Sequence, residues 1–335
     1  RFLVGEQAQE VDMPLSGVLL EPVARNTTAA IAAAAFYAIQ HHGGDAVLHV
    51  LASDHSLSAD DDYRRSVDVA AAAARAGRLV TFGITPSAPE TGYGYIEAGA
   101  ETAPGLRDVA RFVEKPDRAN AEKMLAKGGF YWNSGMFMLG AEAFLSECEA
   151  LSPDSHAAAR GSVEKARRDL DFVRLDEAAF SAAPSISVDY AIFEKSARVS
   201  MVPVSYAWSD LGSWDAVWKT SGKDADGNVA SGSTTFVDTR NSLVFTERAH
   251  VALDGVEDLA VIASEDAIYI GKLTEAQRVG AMVKRLRNDA ATSGLTEIHR
   301  TAYRPWGGYS SILNGERFQV KRLFVKPGKR LSLQR

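Results

Sequence analysis

The chain has 335 residues, room for about two domains of ordinary size. Its 37 Lys and Arg against 43 Asp and Glu leave a formal net charge of −6, which excludes a broad nucleic-acid surface, because such a surface needs a basic excess. With 46% hydrophobic and 24% charged residues the chain can bury a sizeable core, so disorder and collagen-like structure are excluded as well.

The one cysteine, Cys148, precludes an internal disulfide and points to a reducing compartment. The alanine-rich run at 29–35 is too short to span a bilayer, and no basic-then-apolar leader opens the chain. A cytoplasmic protein with neither membrane nor nucleic-acid partners is expected. The sequence opens at Arg1 without an initiator Met and closes at Arg335 inside a strand-like run, so a longer protein is expected on both sides.

In chain order, Asn26-Thr27-Thr28 precedes an alanine-rich helix that runs to Gln40 and stops at Gly43-Gly44. An apolar run at 46–51 reads as a buried parallel strand ending at Ser53-Asp54-His55. A helix over 60–76 and a strand over 79–84 follow, then a turn-rich segment at 85–99 and a strand at 109–113. A helix at 119–127, a strand at 135–139, a helical stretch over 141–180 and a strand at 199–204 complete an α/β sheet with crossover helices. Past about 222 the character changes to short strands at 234–237, 243–246, 250–253, 259–262 and 267–270, closed by an amphipathic helix over 274–287. We read 1–222 as one α/β domain and 223–290 as a β-rich domain. Residues 291–335 form a linker and a hairpin that turns at Asn314-Gly315 and opens a third unit.

Metal motifs of the zinc type are absent, since the seven histidines are scattered and no cysteines pair. Walker and Gly-x-Gly-x-x-Gly loops are absent too. What stands out is a set of polar groups at strand ends, where open α/β sheets bind ligands. Asp54 follows the 46–51 strand, and Asp210 lies in Trp208-Ser209-Asp210-Leu211-Gly212-Ser213-Trp214. Two such carboxylates suit Mg²⁺, which takes one or two of them plus phosphate oxygens. Taken singly, Asp54 reads equally well as a helix N-cap and Asp210 as a turn residue. Glu114-Lys115-Pro116 ends another strand, with a carboxylate for sugar hydroxyls and a point charge for a phosphate. Asn133-Ser134-Gly135 offers a polar patch, and Gly92-Tyr93-Gly94 a tight bend.

Seven segments in order carry a resemblance: Glu21-Pro22-Val23-Ala24-Arg25-Asn26-Thr27, Ala52-Ser53-Asp54-His55, Pro89-Glu90-Thr91-Gly92-Tyr93-Gly94-Tyr95-Ile96, Phe112-Val113-Glu114-Lys115-Pro116, Trp132-Asn133-Ser134-Gly135-Met136-Phe137, Ser187-Val188-Asp189-Tyr190-Ala191 and the Trp208–Trp214 motif. Together they resemble the bacterial mannose-1-phosphate guanylyltransferases of the long type fused to a mannose-6-phosphate isomerase. Asp238-Thr239-Arg240-Asn241, Gln277 and Lys284 resemble that family's β-rich domain. Tyr303-Arg304-Pro305-Trp306-Gly307, Lys326-Pro327-Gly328 and Leu331-Ser332-Leu333-Gln334 resemble the opening of its cupin.

The resemblance implies a Rossmann-like nucleotidyltransferase sheet, a β-helix-like second domain and the start of a cupin. It implies GTP and mannose 1-phosphate as substrates and Mg²⁺ as cofactor, held by Asp54 and Asp210. Lys115 would face the sugar phosphate. Glu114, Asn133, Asp189 and the backbone at Gly94 would lie around the sugar, and Glu21, Arg25 and Asn26 around the guanine nucleotide. The β-rich domain and its helix are candidates for a homodimer contact. The family's triphosphate-binding glycine-rich loop would precede Arg1, which implies that this chain alone is an impaired catalyst. The family's histidine-rich isomerase site would follow Arg335. Ala24 replaces a usual glycine and Ser53 a usual alanine. A transferase for another sugar phosphate and a non-catalytic nucleotide-sugar module stay open as alternatives.

Overall fold

The computed structural model describes residues 2–169, 172–296, 301–304, 306–315 and 317–328. They divide into two compact units, Leu15–Asp210, and Arg1–Pro14 with Leu211–Arg335.

The Leu15–Asp210 unit is built on six strands, β1 (Val47–Val50), β2 (Leu79–Ile84), β3 (Tyr95–Ala103), β4 (Leu106–Val113), β5 (Phe130–Gly140) and β6 (Val199–Val204). Their order is β1-β5-β2-β6-β4-β3. Only β2 and β6 run parallel within this sheet, and the other pairs are antiparallel. β3 also pairs with the first residues of β5, Tyr95 opposite Trp132, so the ladder returns on itself.

Every residue of β2 is buried, and its period of two splits the core. Leu79 faces a cluster with Ala29, Ala32, Phe144, Cys148 and Ala159, contributed by the helices Asn26–His42, Ala141–Leu151 and Pro153–Glu164. Val80, Phe82 and Ile84 face the opposite cluster, with Ala70, Ala73 and Ala74 of the helix Asp61–Arg75 and Ala121 of the helix Arg118–Lys127. Alanine on the helix faces lets the backbones approach the sheet, and the large side chains it meets, Phe82 and Phe144, each contribute about 1.5–3 kcal/mol by leaving water. Burial pushes the Cys148 thiol up to about 12, so it packs as a small hydrophobe.

Three expectations change. The strand expected at 46–51 is antiparallel to β5 and only half-buried, because it sits at the end of the strand order with one neighbour. The stretch at 141–180 is not one helical run. Pro153 starts a second helix at its first turn, after which Arg167–Asp169 and Phe172–Arg174 form a hairpin and Glu177–Ser181 a short helix. Phe172–Arg174 pairs in parallel with Val18–Leu20, a non-local partner that periodicity does not reveal. The turn-rich segment at 85–99 already contains the start of β3.

In the other unit, Val229–Ser231, Leu243–Thr246 and Leu259–Ala263 stack as one parallel ladder, and Thr234–Val237 with Val251–Asp254 as a second. Two parallel ladders from successive turns of chain are the coils of a β-helix. Ile268–Lys272 closes the first ladder antiparallel. Buried Asn228 serves the turn between coils, donating to the Thr239 carbonyl at 2.8 Å and accepting from the Ser242 N–H at 3.1 Å. Trp214 and Trp218 pack on this core, and the Trp218 indole donates to the Gly227 carbonyl at 2.8 Å. The helix expected over 274–287 begins as a 3₁₀ turn, Leu273–Arg278, and becomes α-helical over Val279–Arg287. Thr301–Arg304, Gly307–Gly315 and Phe318–Val325 form an antiparallel three-stranded sheet. The Leu331–Gln334 segment lies outside the described residues. Among the described residues no helix is long and apolar enough to cross a membrane.

Candidate active site

All ten residues singled out from the sequence lie in the Leu15–Asp210 unit, in three neighbourhoods. The first is a short ribbon in which Ser56–Leu57 pairs antiparallel with Trp208–Ser209. Continuing that register by one residue sets His55 opposite Asp210 and brings Asp54 to the same end of the ribbon. Asp54 is exposed and Asp210 half-buried. Tyr93 donates its phenol proton to Asp210 Oδ1 at 3.1 Å. The Tyr93 ring stands edge-on to Trp132 and Trp208, with centroids 5.2 and 5.4 Å away, and His55 meets Trp208 edge-on at 5.4 Å.

The second neighbourhood is centred on an irregularity in β5. Its pairing with β2 shifts register between Thr81 and Gly83, where Phe137 and Asn133 are their respective partners, so Ser134, Gly135 and Met136 bulge out opposite Phe82. Gly135 takes φ +68°, a conformation that costs other residues, and the Ser134 hydroxyl ties the bulge to the Phe82 carbonyl at 2.7 Å. The bulge presents Asn133, whose Nδ2 donates to Asp189 Oδ1 at 2.8 Å while its backbone N–H donates to the Gly94 carbonyl at 2.8 Å. A side chain at Gly94 would start 2.6 Å from Glu114 Oε2, so the glycine leaves that carboxylate its place. Lys115 Nζ lies 3.6 Å from Glu114 Oε1.

Asp189 begins a single π-turn, Asp189–Phe193, in which the Glu194 N–H bonds back to the Asp189 carbonyl at 2.9 Å. That i to i+5 closure brings a third carboxylate toward Asp189 and Glu114. Burial raises the Asp189 carboxyl above the usual carboxylate range, against the lowering hydrogen bond from Asn133. Glu114 is raised chiefly by burial, with the Asp189 charge adding and Lys115 opposing, and Glu194 is raised by burial, Glu114 and Asp189. A carboxyl raised in the folded state stabilises the fold at low pH and loses that contribution as pH climbs through its folded value. Asp189→Asn keeps an oxygen for the Asn133 amide and removes the buried charge. Its melting temperature should exceed that of the parent at pH 8, with the gap closing toward pH 4; a constant or opposite gap in calorimetry would show that the charge is not strained.

The third neighbourhood holds Glu21, Arg25 and Asn26. Arg25 is not turned outward, since its Nε and Nη2 both donate to the Ser181 carbonyl, at 3.1 and 2.7 Å. Asn26 takes φ +60° and its Oδ1 accepts from the Thr27 N–H at 2.9 Å. The Thr27 hydroxyl accepts from Val188 N–H at 2.9 Å and Thr28 donates to the Ile186 carbonyl at 2.8 Å, which fixes the segment leading into Asp189. Burial raises the Glu21 carboxyl.

Sequence reasoning passed over two contributors. Tyr93 was noted only for its flanking glycines, although an aromatic between two bends is a signal in itself. Glu194 carries no signal, because five residues from Asp189 is the opposite face of an α-helix and the same side only of a π-turn. Among the described residues no group of three or more His, Cys, Asp or Glu gathers to hold a metal. Asp54 and Asp210 nevertheless bring two carboxylates to one end of the ribbon, a donor chemistry that suits Mg²⁺ beside water and phosphate oxygens.

Comparison with known proteins gives the family. A nucleotidyl transferase model matches residues 4–227, a MannoseP isomerase/GMP-like β-helix domain model 232–286 and a mannose-6-phosphate isomerase C-terminal model 291–335. The whole chain is 52% identical to a mannose-1-phosphate guanylyltransferase of Sinorhizobium fredii, of which it spans 65%. It is 46% identical to the xanthan biosynthesis protein XanB of Xanthomonas campestris and 41% identical to the alginate biosynthesis protein AlgA of Pseudomonas aeruginosa, spanning 70% and 69% of them. A solved structure described as mannose-1-phosphate geranyltransferase from Thermus thermophilus superposes with a TM-score of 0.72 at 30% identity, covering 84% of this chain and 80% of that one. Matched in this way along its whole length, the chain belongs to the nucleotidyl transferase family, among the mannose-1-phosphate guanylyltransferases that carry a β-helix and an isomerase C-terminal domain.

Proposed function

We propose that the complete protein makes GDP-mannose and pyrophosphate from GTP and mannose 1-phosphate. The observation that supports this most directly is the meeting of Gly94, Glu114, Asn133 and Asp189 around one bulge, beside a ribbon that carries Asp54 and Asp210. Relatives named for this reaction match the whole chain.

A phosphate oxygen of the sugar phosphate attacks the α-phosphorus of the nucleotide in line, and pyrophosphate departs. The chemistry needs no covalent enzyme intermediate, so positioning and charge neutralisation do the work. Lys115 places a point charge on the sugar phosphate. Glu114 and Asp189 accept from sugar hydroxyls, Asn133 orients them, and Gly94 brings its backbone to the sugar while leaving the Glu114 carboxylate its place. Glu21 and Asn26 line the guanine nucleotide, where Arg25 acts by holding its loop to Ser181 rather than by touching substrate. Asp54 and Asp210 would hold Mg²⁺, which when bound supplies neutralisation of the phosphates' charge.

Pyrophosphate release across nucleotide and sugar-phosphate pairs tests the reading. GTP with mannose 1-phosphate should exceed every other pair by at least about tenfold in kcat/KM, roughly 1.4 kcal/mol of discrimination. A faster rate with glucose 1-phosphate or another nucleotide would reassign the substrate. Tight binding of GDP-mannose with no release from any pair would favour a non-catalytic module.

A further inference from the structure

Asn133 is useful to a sugar only if its amide faces the right way, and an amide can rotate by 180° at little steric cost. Its surroundings settle the orientation. Oδ1 accepts from the Thr81 hydroxyl at 3.1 Å and from the Gly135 N–H at a long 3.4 Å, while Nδ2 faces the Asp189 carboxylate. A backbone N–H only donates and an ionised carboxylate only accepts, so both ends demand the same orientation, but the Gly135 contact is at the limit of a hydrogen bond. The closer partner is Thr81, a fully buried residue at the centre of β2. Its β-branched side chain has few rotamers, and it stands where the β2–β5 register slips. Oγ1 also lies 3.4 Å from the Met136 carbonyl, so the hydroxyl spans both ends of the bulge and its single proton has its nearer acceptor in Asn133.

We propose that Thr81 is a positioning residue for the sugar subsite: its hydroxyl, reached from the core side of the sheet, locks the Asn133 amide with its N–H groups toward Asp189 and the bound sugar. The inference rests on the guanylyl-transfer reading and adds to it a residue that touches no substrate. In Thr81→Val the volume is kept, the proton is lost, and a methyl group faces Oδ1. Oδ1 then keeps only the long Gly135 contact, so the amide is held less firmly against Asp189 and its N–H groups are less well aimed at the sugar.

The test measures mannose 1-phosphate binding by calorimetry, and kcat and KM separately, in the full-length protein. Thr81→Val should raise Kd and the KM for mannose 1-phosphate about tenfold, with kcat and the KM for GTP changed less than about twofold. Thr81→Ser, which retains the hydroxyl, should recover most of the loss. In an Asn133→Ala background Thr81→Val should add nothing, because the group it positions is gone. Equal affinity in Thr81→Val and the parent overturns the proposal, as does a full additive loss in the double variant or a failure of Thr81→Ser to recover binding. If Asn133→Ala alone binds mannose 1-phosphate as the parent does, the assignment of Asn133 to the sugar fails, and the role of Thr81 falls with it. A normal Asn133→Ala loss beside an unaffected Thr81→Val removes Thr81 alone.

Discussion

Asp54→Asn and Asp210→Asn should each lower kcat for pyrophosphate release by two or more orders of magnitude while leaving the melting temperature close to that of the parent. A divalent ion stabilises developing phosphate charge by several kcal/mol, and each ~1.4 kcal/mol lost is tenfold in rate. Asparagine keeps the shape and removes the charge. The folding cost is small, because Asp54 is exposed and Asp210 keeps an acceptor oxygen for the Tyr93 hydroxyl at 3.1 Å. Tyr93→Phe should have a lesser effect, since it removes only the hydrogen bond that steadies Asp210. Raising Mg²⁺ should recover part of the rate if the deficit lies in ion affinity. Parent-like turnover in Asp54→Asn or Asp210→Asn would remove that carboxylate from any metal-holding role.

The ribbon also shows why this pair was legible in the sequence while its geometry was not. Asp54 and Asp210 each come within a few residues of the end of an apolar run, and polar residues at such points face the ligand edge of an α/β sheet. Glu114-Lys115 stands out for the same reason, whereas Asn133, read as a polar patch ahead of a strand at 135–139, lies inside β5. Strand partners are a different matter. Periodicity reports which face is buried and says nothing of the neighbour, so β1 read as parallel although its partner β5 runs the other way. Phe172–Arg174 was lost in a charged stretch because its partner, Val18–Leu20, lies far back in the chain.

Finer placement depended on features without a local signature. The bulge that aims Asn133 is decided by register between β2 and β5. The π-turn that gathers Asp189 and Glu194 differs from an α-turn by one residue. Arg25 is placed at the nucleotide by the family resemblance alone, through the Glu21–Thr27 segment. The Ser181 carbonyl that takes up its guanidinium comes from a segment that periodicity had merged into a long helix. By contrast five of the strands of the β-helix unit were legible to within a residue or two, since each coil repeats a short apolar run and a turn, whereas Val229–Ser231, a three-residue strand behind the Asp226-Gly227-Asn228 turn, was not.

Lys115 carries the second large effect, and its backbone separates two explanations of why it matters. It takes φ +41°, a left-handed conformation that costs a residue with a Cβ roughly 1–2 kcal/mol, and it precedes Pro116, where extended backbone is the norm. Lys115→Ala keeps the strain and loses the ammonium; Lys115→Gly loses both. The glycine variant should therefore be more stable than the alanine variant, by about 1 kcal/mol once the greater freedom of its unfolded chain is offset. The exposed contact between Lys115 and Glu114 is lost in both and adds little. Activity should not follow stability. Both variants should lose on the order of a hundredfold or more in kcat/KM for mannose 1-phosphate, because what each lacks is the charge proposed to face the phosphate. Lys115→Arg keeps the charge but swaps a compact ammonium for a planar fork, and should retain an intermediate rate. An alanine variant as stable as the glycine variant would show that the left-handed backbone is not strained. Full activity in either would show that the turn after β4 serves only to end the strand, and that the sugar phosphate is neutralised by some other group.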